Sequence, residues 1–372
     1  MILPESFLQT LTDAGVSFFA GVPDSLLKDF CSCLTHSLDE NHHMICANEG
    51  IAISMAAGHY LATGRLGLVY MQNSGLGNCV NPLLSLADKE VYGIPMILLI
   101  GWRGEPGFHD EPQHVKQGRI QNKLLETLEI PYIVLDSESK DYDNTIKSLL
   151  ALATEQSNPV AIIVRKGTFS KCTAPGTGKP SCTGILREKA LEIILKEIDD
   201  AIVISTTGKT SRELYEIRNR TGKLGIDFMC VGSMGHASSL ALAIALEKRA
   251  KKVVCLDGDG ALLMHLGAMA LIGNSHPDNY IHILLNNKCY ESVGEQPTPL
   301  ERVNFKKLAE ALGYSEYHRC STEDELTEII QVILLEHGPI LLNINIIPGS
   351  RTDLGRPVTT PLENRKTFMI QL

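Results

Sequence analysis

The stretch that most constrains the fold runs from Val253 to Asn287. Val253-Val254-Cys255-Leu256 is short, unbroken and β-branched at its start, the pattern of a strand covered on both faces. Gly258-Asp259-Gly260 then permits a turn. Ala261 to Gly273 has helical periodicity with small residues, and His276-Pro277-Asp278-Asn279 breaks it. Ile281-His282-Ile283-Leu284-Leu285 is a second strand, with Asn286-Asn287 past its end. Strand, turn, helix, strand commits this part of the chain to a parallel α/β sheet. It also puts Asp259 and Asn287 at one sheet edge, the carboxyl-end edge where ligands gather. A carboxylate and an amide carbonyl there suit a hard divalent cation, and glycines let backbone N–H groups approach a phosphate. A metal carrying a diphosphate is the first functional expectation. The plain alternative is an ordinary turn with an Asp and an ordinary strand end with two Asn.

The rest of the chain repeats the alternation. Short apolar runs predict strands at 17–20, 68–71, 96–100, 132–135 and 160–164, and at 201–205, 253–256, 281–285 and 340–344, with helical stretches between them. Residues 167–184 are rich in Gly, Pro, Ser, Thr and Lys and read as a linker. The expected organisation is an α/β domain over 1–170, a linker over 171–184 and a second α/β domain over 185–372, each with a doubly wound, largely parallel sheet.

With 372 residues, 44% of them hydrophobic, two domains can each bury a sizeable core. Mean hydropathy is near zero, no apolar run approaches membrane-spanning length, and the N-terminus lacks a basic segment followed by an apolar one. The ten cysteines form no C-x-x-C pair, and several sit in apolar runs. A cytoplasmic protein with reduced core thiols and no membrane association is expected. A net charge of −9 argues against nucleic acid as partner. An anionic substrate would therefore need locally concentrated cations.

Gly-Asp-Gly followed at this spacing by Asn-Asn resembles the signature of the thiamine diphosphate (ThDP) enzymes, and two similar α/β halves match their fold. The resemblance covers nearly the whole chain and implies a compact, two-domain member. It implies that Asp259, Asn287 and the main-chain carbonyl of Cys289 hold Mg2+, with Gly258, Gly260 and Ala261 beside the diphosphate. The first half is then expected to receive the aminopyrimidine. Asn48-Glu49-Gly50-Ile51-Ala52 opens an Ala-rich helix, where the family places its activating Glu. A carboxyl on the pyrimidine ring nitrogen promotes proton loss from the thiazolium carbon, and an apolar site keeps that carboxyl readily protonated. A Glu in the first turn is also explained by the helix dipole. By the same resemblance Met234 and the carbonyl of Gly232 support the bent cofactor, while Thr207, Gly208 and Asn78 line its site. Gly208-Lys209-Thr210 resembles the end of a P-loop but lacks the first glycine, and Gly178-Lys179-Pro180 fails at the position after Lys.

Gly21-Val22-Pro23-Asp24-Ser25, Gln72-Asn73-Ser74-Gly75-Leu76-Gly77-Asn78 and Arg103-Gly104-Glu105-Pro106-Gly107 are similar to segments of the phosphonopyruvate decarboxylases. So are Asn287-Lys288-Cys289-Tyr290-Glu291 and Gly349-Ser350-Arg351-Thr352-Asp353. That family converts 3-phosphonopyruvate to phosphonoacetaldehyde and CO2 in phosphonate biosynthesis. The resemblance implies a small anionic 2-oxo acid as substrate and a homo-oligomer with sites between subunits. Asp24 is a candidate for proton transfer, or else a turn or helix cap. Ser25, Asn73, Arg103, His109, Lys288 and Arg351 are candidate substrate contacts, Arg being suited to a phosphonate. Residues 102–119 read as a long loop, functional or merely solvated, and the tail at Arg351 as a cover or a docked terminus. Sulfopyruvate decarboxylase, another 2-oxo acid decarboxylase, and a ThDP-binding regulator without catalysis are the alternatives. No Gly-x-Gly-x-x-Gly opens a helix after a strand, which leaves a dinucleotide dehydrogenase without support.

Overall fold

The computed structural model describes residues 1–172, 183–223 and 225–372. The linker expected over 171–184, including Gly178-Lys179-Pro180, lies mostly outside them. The chain divides into two compact units, Met1–Lys179 with Val293–Pro297, and Pro180–Ser292 with Thr298–Leu372.

The first unit contains β1 (Val16–Gly21), β2 (His43–Ile45), β3 (Leu66–Gln72), β4 (Ile97–Gly101), β5 (Tyr132–Leu135) and β6 (Val160–Val164). They form one parallel sheet in the order β2-β1-β3-β4-β6-β5. Helices α1 (Pro4–Asp13), α2 (Lys28–Ser37), α3 (Glu49–Thr63), α4 (Leu76–Pro82), α5 (Pro112–Thr127) and α6 (Tyr142–Gln156) cover it. One face packs Phe7, Phe30 and Phe169 among aliphatic side chains; the other packs Ala52, Ile53, Ala56 and Ala57 of α3. The small residues of α3 lie close on the sheet: a Cβ at Gly67 of β3 would stand 2.9 Å from that of Ala56.

The second unit contains β7 (Ile185–Leu186), β8 (Ile202–Ser205), β9 (Ile226–Met229), β10 (Val253–Gly258), β11 (Tyr280–Asn286), β12 (Cys289–Tyr290), β14 (Glu316–Cys320) and β15 (Ile340–Ile347); the two-residue β13 (Gln296–Pro297) groups with the first. Its main sheet is parallel, in the order β14-β15-β11-β10-β8-β9, with β7 added to β15. Helices α7 (Arg187–Glu197), α8 (Lys209–Thr221), α9 (Ala237–Glu247), α10 (Asp259–Met264), α11 (Gly267–Ser275), α12 (Phe305–Ala311), α13 (Glu323–Ile333) and α14 (Pro361–Gln371) accompany it. No helix among the described residues is long and apolar enough to cross a membrane.

Every expected strand is present within two residues at its start and three at its end. The strands not foreseen are short or only partly buried: β2, β7, β9, β12, β13 and β14. Two expectations are corrected. The single helix over 261–273 is two, α10 and α11, broken at His265-Leu266, where His265 leaves the helical region at φ −134° and ψ 51°. The loop expected over 102–119 ends at Glu111, because Pro112 supplies the first helical position of α5. His114, Lys116 and Arg119 are therefore helical.

Candidate active site

Each sheet reverses its winding beside its early strands, between β1 and β3 in the first unit and between β8 and β10 in the second. A doubly wound sheet opens a crevice at the carboxyl ends of the strands there. The candidate residues collect at these two places.

In the first unit, the chain leaves β1 at Val22-Pro23-Asp24 and β3 at Gln72-Asn73. Asp24 is fully buried, accepts hydrogen bonds from Gln72 Nε2 (2.8 Å) and Leu26 N–H (2.9 Å), and has its carboxyl raised above the usual range by burial. It fits only because position 101 is glycine: a Cβ there would overlap Asp24 Oδ2. Arg103 follows β4, donates from Nη1 to Ser25 Oγ (3.0 Å) and grips Asp110 through Nε (2.8 Å) and Nη2 (2.5 Å). Its carbonyl accepts from Asn73 Nδ2 (2.8 Å), while Asn73 Oδ1 is buried without a partner. Asp24, Ser25, Asn73 and Arg103 thus form one polar cluster, whereas His109 is exposed. Burial lowers the nearby His114 imidazole to about 4.

Glu49 opens α3 from the Asn48 cap, whose side chain accepts from Gly50 N–H at 2.8 Å. Its carboxyl is buried, accepts from Asn78 Nδ2 at 2.8 Å, and is raised above the ordinary range by burial, which outweighs that bond. Gly75 lies against it so closely that a Cβ would overlap the carboxyl group. No cation pairs with Glu49 among the described residues.

In the second unit, Asp259 starts α10 and is 4% exposed. Its carboxylate accepts from Thr298 Oγ1 (2.8 Å) and from the backbone N–H groups of Gly260 and Lys288, yet burial pushes it up to about 6. Asp259 and the Asn287-Lys288 peptide therefore meet across β10 and β11. Asn287 is buried, its Oδ1 accepting from Cys289 N–H (3.1 Å) and its Nδ2 donating to Glu291 (3.2 Å). The Tyr290 ring lies where a Cβ at Gly260 would be. Gly208 (φ 90°) follows β8, and Thr207 Oγ1 donates to Val231 O at 2.9 Å, tying this loop to the one carrying Gly232 and Met234. Around Met234, Ser233 and Gly235 both have positive φ, 52° and 88°, and a Cβ at Gly235 would crowd the Ala261 carbonyl at 2.8 Å.

Several supporting residues have no motif that would disclose them. Glu291 binds Arg187 (2.6 Å) and Lys209 (2.7 Å), and Arg187 also clasps the buried Glu213 (2.8 and 2.9 Å). Lys209, read only as part of a failed P-loop, thus helps fix Glu291. Behind Gly258, Asp257 accepts its N–H (2.9 Å) and faces His282 Nε2 (3.3 Å), whose Nδ1 meets Tyr314 OH (3.0 Å). Thr298 is separated from its partner Asp259 by 39 positions. Arg351 is bound by Glu188, Glu216 and Asp353.

The comparisons with known proteins agree with this geometry. Residues 1–125 match the model of the thiamine pyrophosphate enzyme N-terminal TPP binding domain, and 207–344 that of the C-terminal TPP binding domain. The chain belongs to the ThDP-dependent enzymes. It is 35% identical to a phosphonopyruvate decarboxylase of Streptomyces viridochromogenes, covering 99% of this chain and 94% of that one. Identity is 36% to the phosphonopyruvate decarboxylase of Streptomyces hygroscopicus, over 99% and 93% of the two chains. It is 27% to a sulfopyruvate decarboxylase of Methanosarcina acetivorans, over 98% and 96%. Within the ThDP enzymes the chain is thus a member of the phosphonopyruvate decarboxylase family, a carbon–carbon lyase with ThDP as cofactor.

Proposed function

We propose that the protein decarboxylates 3-phosphonopyruvate to phosphonoacetaldehyde and CO2, as a cytoplasmic enzyme of phosphonate biosynthesis. In this reading 1–170 is the pyrimidine-binding domain, 171–184 a linker and 185–372 the diphosphate-binding domain. The observation that carries the reading is Glu49, a buried carboxyl with raised proton affinity and no cation paired with it among the described residues. When bound, ThDP supplies a thiazolium ring that takes up the electrons left by departing CO2.

This chain's residues do the rest. Glu49 holds a proton at the pyrimidine ring nitrogen, and Asn78 orients it. The all-oxygen donor set of Asp259, Asn287 and the Cys289 carbonyl fits Mg2+. Gly258, Gly260 and Ala261 leave room beside it for the diphosphate, while Thr207, Gly208, Gly232 and Met234 line the cofactor. Asp24, Ser25, Asn73 and Arg103 face the 2-oxo acid, with the unpaired Asn73 Oδ1 as a ready acceptor. Lys288 is the cation offered from the second unit. His109 and Arg351 have no comparable support.

The deciding experiment is a substrate panel with Mg2+ and ThDP, scored by aldehyde release. Turnover of phosphonopyruvate at least about tenfold above sulfopyruvate and pyruvate in kcat/KM is expected, a difference of roughly 1.4 kcal/mol in transition-state binding. Preferred turnover of sulfopyruvate would move the chain to that neighbouring activity, the second reading supported by the Methanosarcina relative.

We further propose a homodimer or larger symmetric assembly in which Glu49 of one copy serves the Asp259 site of another. Glu49→Ala and Asp259→Ala proteins, each inactive, should complement when dissociated and mixed. Random pairing of equal amounts yields about a quarter of wild-type activity, since half the dimers are mixed and each keeps one intact site. Zero recovery in verified mixed dimers would place each site within one chain.

A further inference from the structure

Beside the Asn287 end of β11, residues of β11, β15 and β14 and residues 300–306 enclose a cleft of about 450 Å3. Its lining is at odds with its position. Parallel strands covered on both faces are normally apolar, yet Asn286 and Asn343 line the cleft at 6% and 4% exposure. Asn286 Nδ2 donates to Asn343 Oδ1 (3.4 Å), and Asn343 Nδ2 donates to Tyr317 OH (3.3 Å). Asn286 Oδ1 is left buried with no partner, a cost that a ligand's O–H or N–H would remove.

Four cations, Lys288, Arg302, Lys306 and Arg319, also line the cleft and are exposed. Among the described residues, Lys306 reaches Glu310 at 3.9 Å, while Lys288, Arg302 and Arg319 have neither an ion pair nor a side-chain hydrogen bond. In a chain of net charge −9 such a grouping of cations gives the cleft a local positive charge. The single acidic side chain lining the cleft is Glu301.

We propose that this cleft is a second anion site, taking a small organic phosphate or phosphonate that also bears a hydroxyl. Arginine forks meet the oxyanion, and the amide floor meets the hydroxyl. The volume lies in the range of small-molecule sites. The cleft adjoins the Asp259–Asn287 edge across β10 and β11 through Lys288, while Arg302, Arg319 and the Asn286–Asn343 floor lie toward β15 and β14. The proposal goes beyond the decarboxylase reading and does not depend on it.

The test uses full-length protein, both free and loaded with ThDP and Mg2+, titrated calorimetrically with inorganic phosphate and with glycerol phosphate at fixed free Mg2+. Both probes should bind with saturation to the loaded protein, glycerol phosphate the tighter. The Arg302→Gln/Arg319→Gln double variant should weaken both about tenfold or more, with ThDP affinity unchanged. Arg319→Gln alone gives the same direction if the double variant unfolds. Absence of saturable binding, binding unaffected by the substitutions, or binding abolished by ThDP loading (phosphate in the diphosphate site) would each overturn the proposal. ThDP loading, measured separately, reports on the decarboxylase reading itself.

Discussion

Replacing Glu49 with Ala should lower kcat by ~10²–10⁴-fold, the span of a lost general acid–base group, while leaving Mg2+-dependent ThDP binding within a few-fold of wild type. Two features make this split specific. Glu49 lies in the first unit, whereas the candidate metal ligands lie in the second. Its carboxyl is also held by elements that do not depend on its charge: the Asn48 cap, the Asn78 amide and the bare backbone of Gly75. The measurement is steady-state turnover beside ThDP binding by calorimetry, with hydrogen–deuterium exchange at the thiazolium carbon as the direct readout. Near-wild-type exchange would remove Glu49 from its role. Because burial raises this carboxyl, the protonated form persists to higher pH than in a free Glu. Activity that depends on that proton is then kept at low pH and declines as pH rises past the raised value.

The second large effect is expected at Asp259. Asp259→Ala should abolish ThDP retention at millimolar Mg2+, detected as loss of cofactor on gel filtration. The carboxylate is the single formal charge in a donor set otherwise made of amide and peptide oxygens. Removing it leaves an ion that dehydrates reluctantly with only neutral protein ligands. The pH dependence has a definite sign. With burial pushing Asp259 up to about 6 before metal binds, the proton competes with Mg2+ below that value. ThDP retention should therefore be constant above about pH 7 and weaken by up to about tenfold per unit below pH 6. Tight retention in Asp259→Ala, or retention flat from pH 7 to pH 5, would refute the metal assignment.

The buried parallel strands were legible because an unbroken apolar run of four to seven residues between turn residues has few other uses. Val160–Val164 falls where its pattern puts it, and so does the partly buried edge strand Tyr132–Leu135. Strands β9 and β14 were not, because Ile226-Asp227-Phe228-Met229 and Glu316-Tyr317-His318-Arg319-Cys320 mix polar and apolar residues as sheet margins do. Around the candidate site, residues announced by a turn or a cap, such as Asp24, Glu49 and Asp259, stood out. Those joined only by folding did not. Thr298 on Asp259, Glu291 on Asn287 and Gly75 under Glu49 gain their meaning from contacts that no local pattern encodes. His265-Leu266 lies inside a good helical pattern, and Gly235, whose Cβ would crowd His265 Cδ2 at 2.8 Å, is remote in sequence.

The pairing of β15 with β7, β11 and β14 bears on how the polypeptide matures as it leaves the ribosome. The first unit's sheet is complete by Val164, with Phe169 bridging back to Ile2, so that unit can fold while translation continues. The second unit cannot seat Ile185–Leu186, or cover the outer edge of β11, until Ile340–Ile347 has been synthesised. That strand thus waits through about 150 residues of elongation and the apolar edge of β11 through about 50, so this half is the one with more call on chaperones, and truncation before Ile340 leaves β11 uncovered.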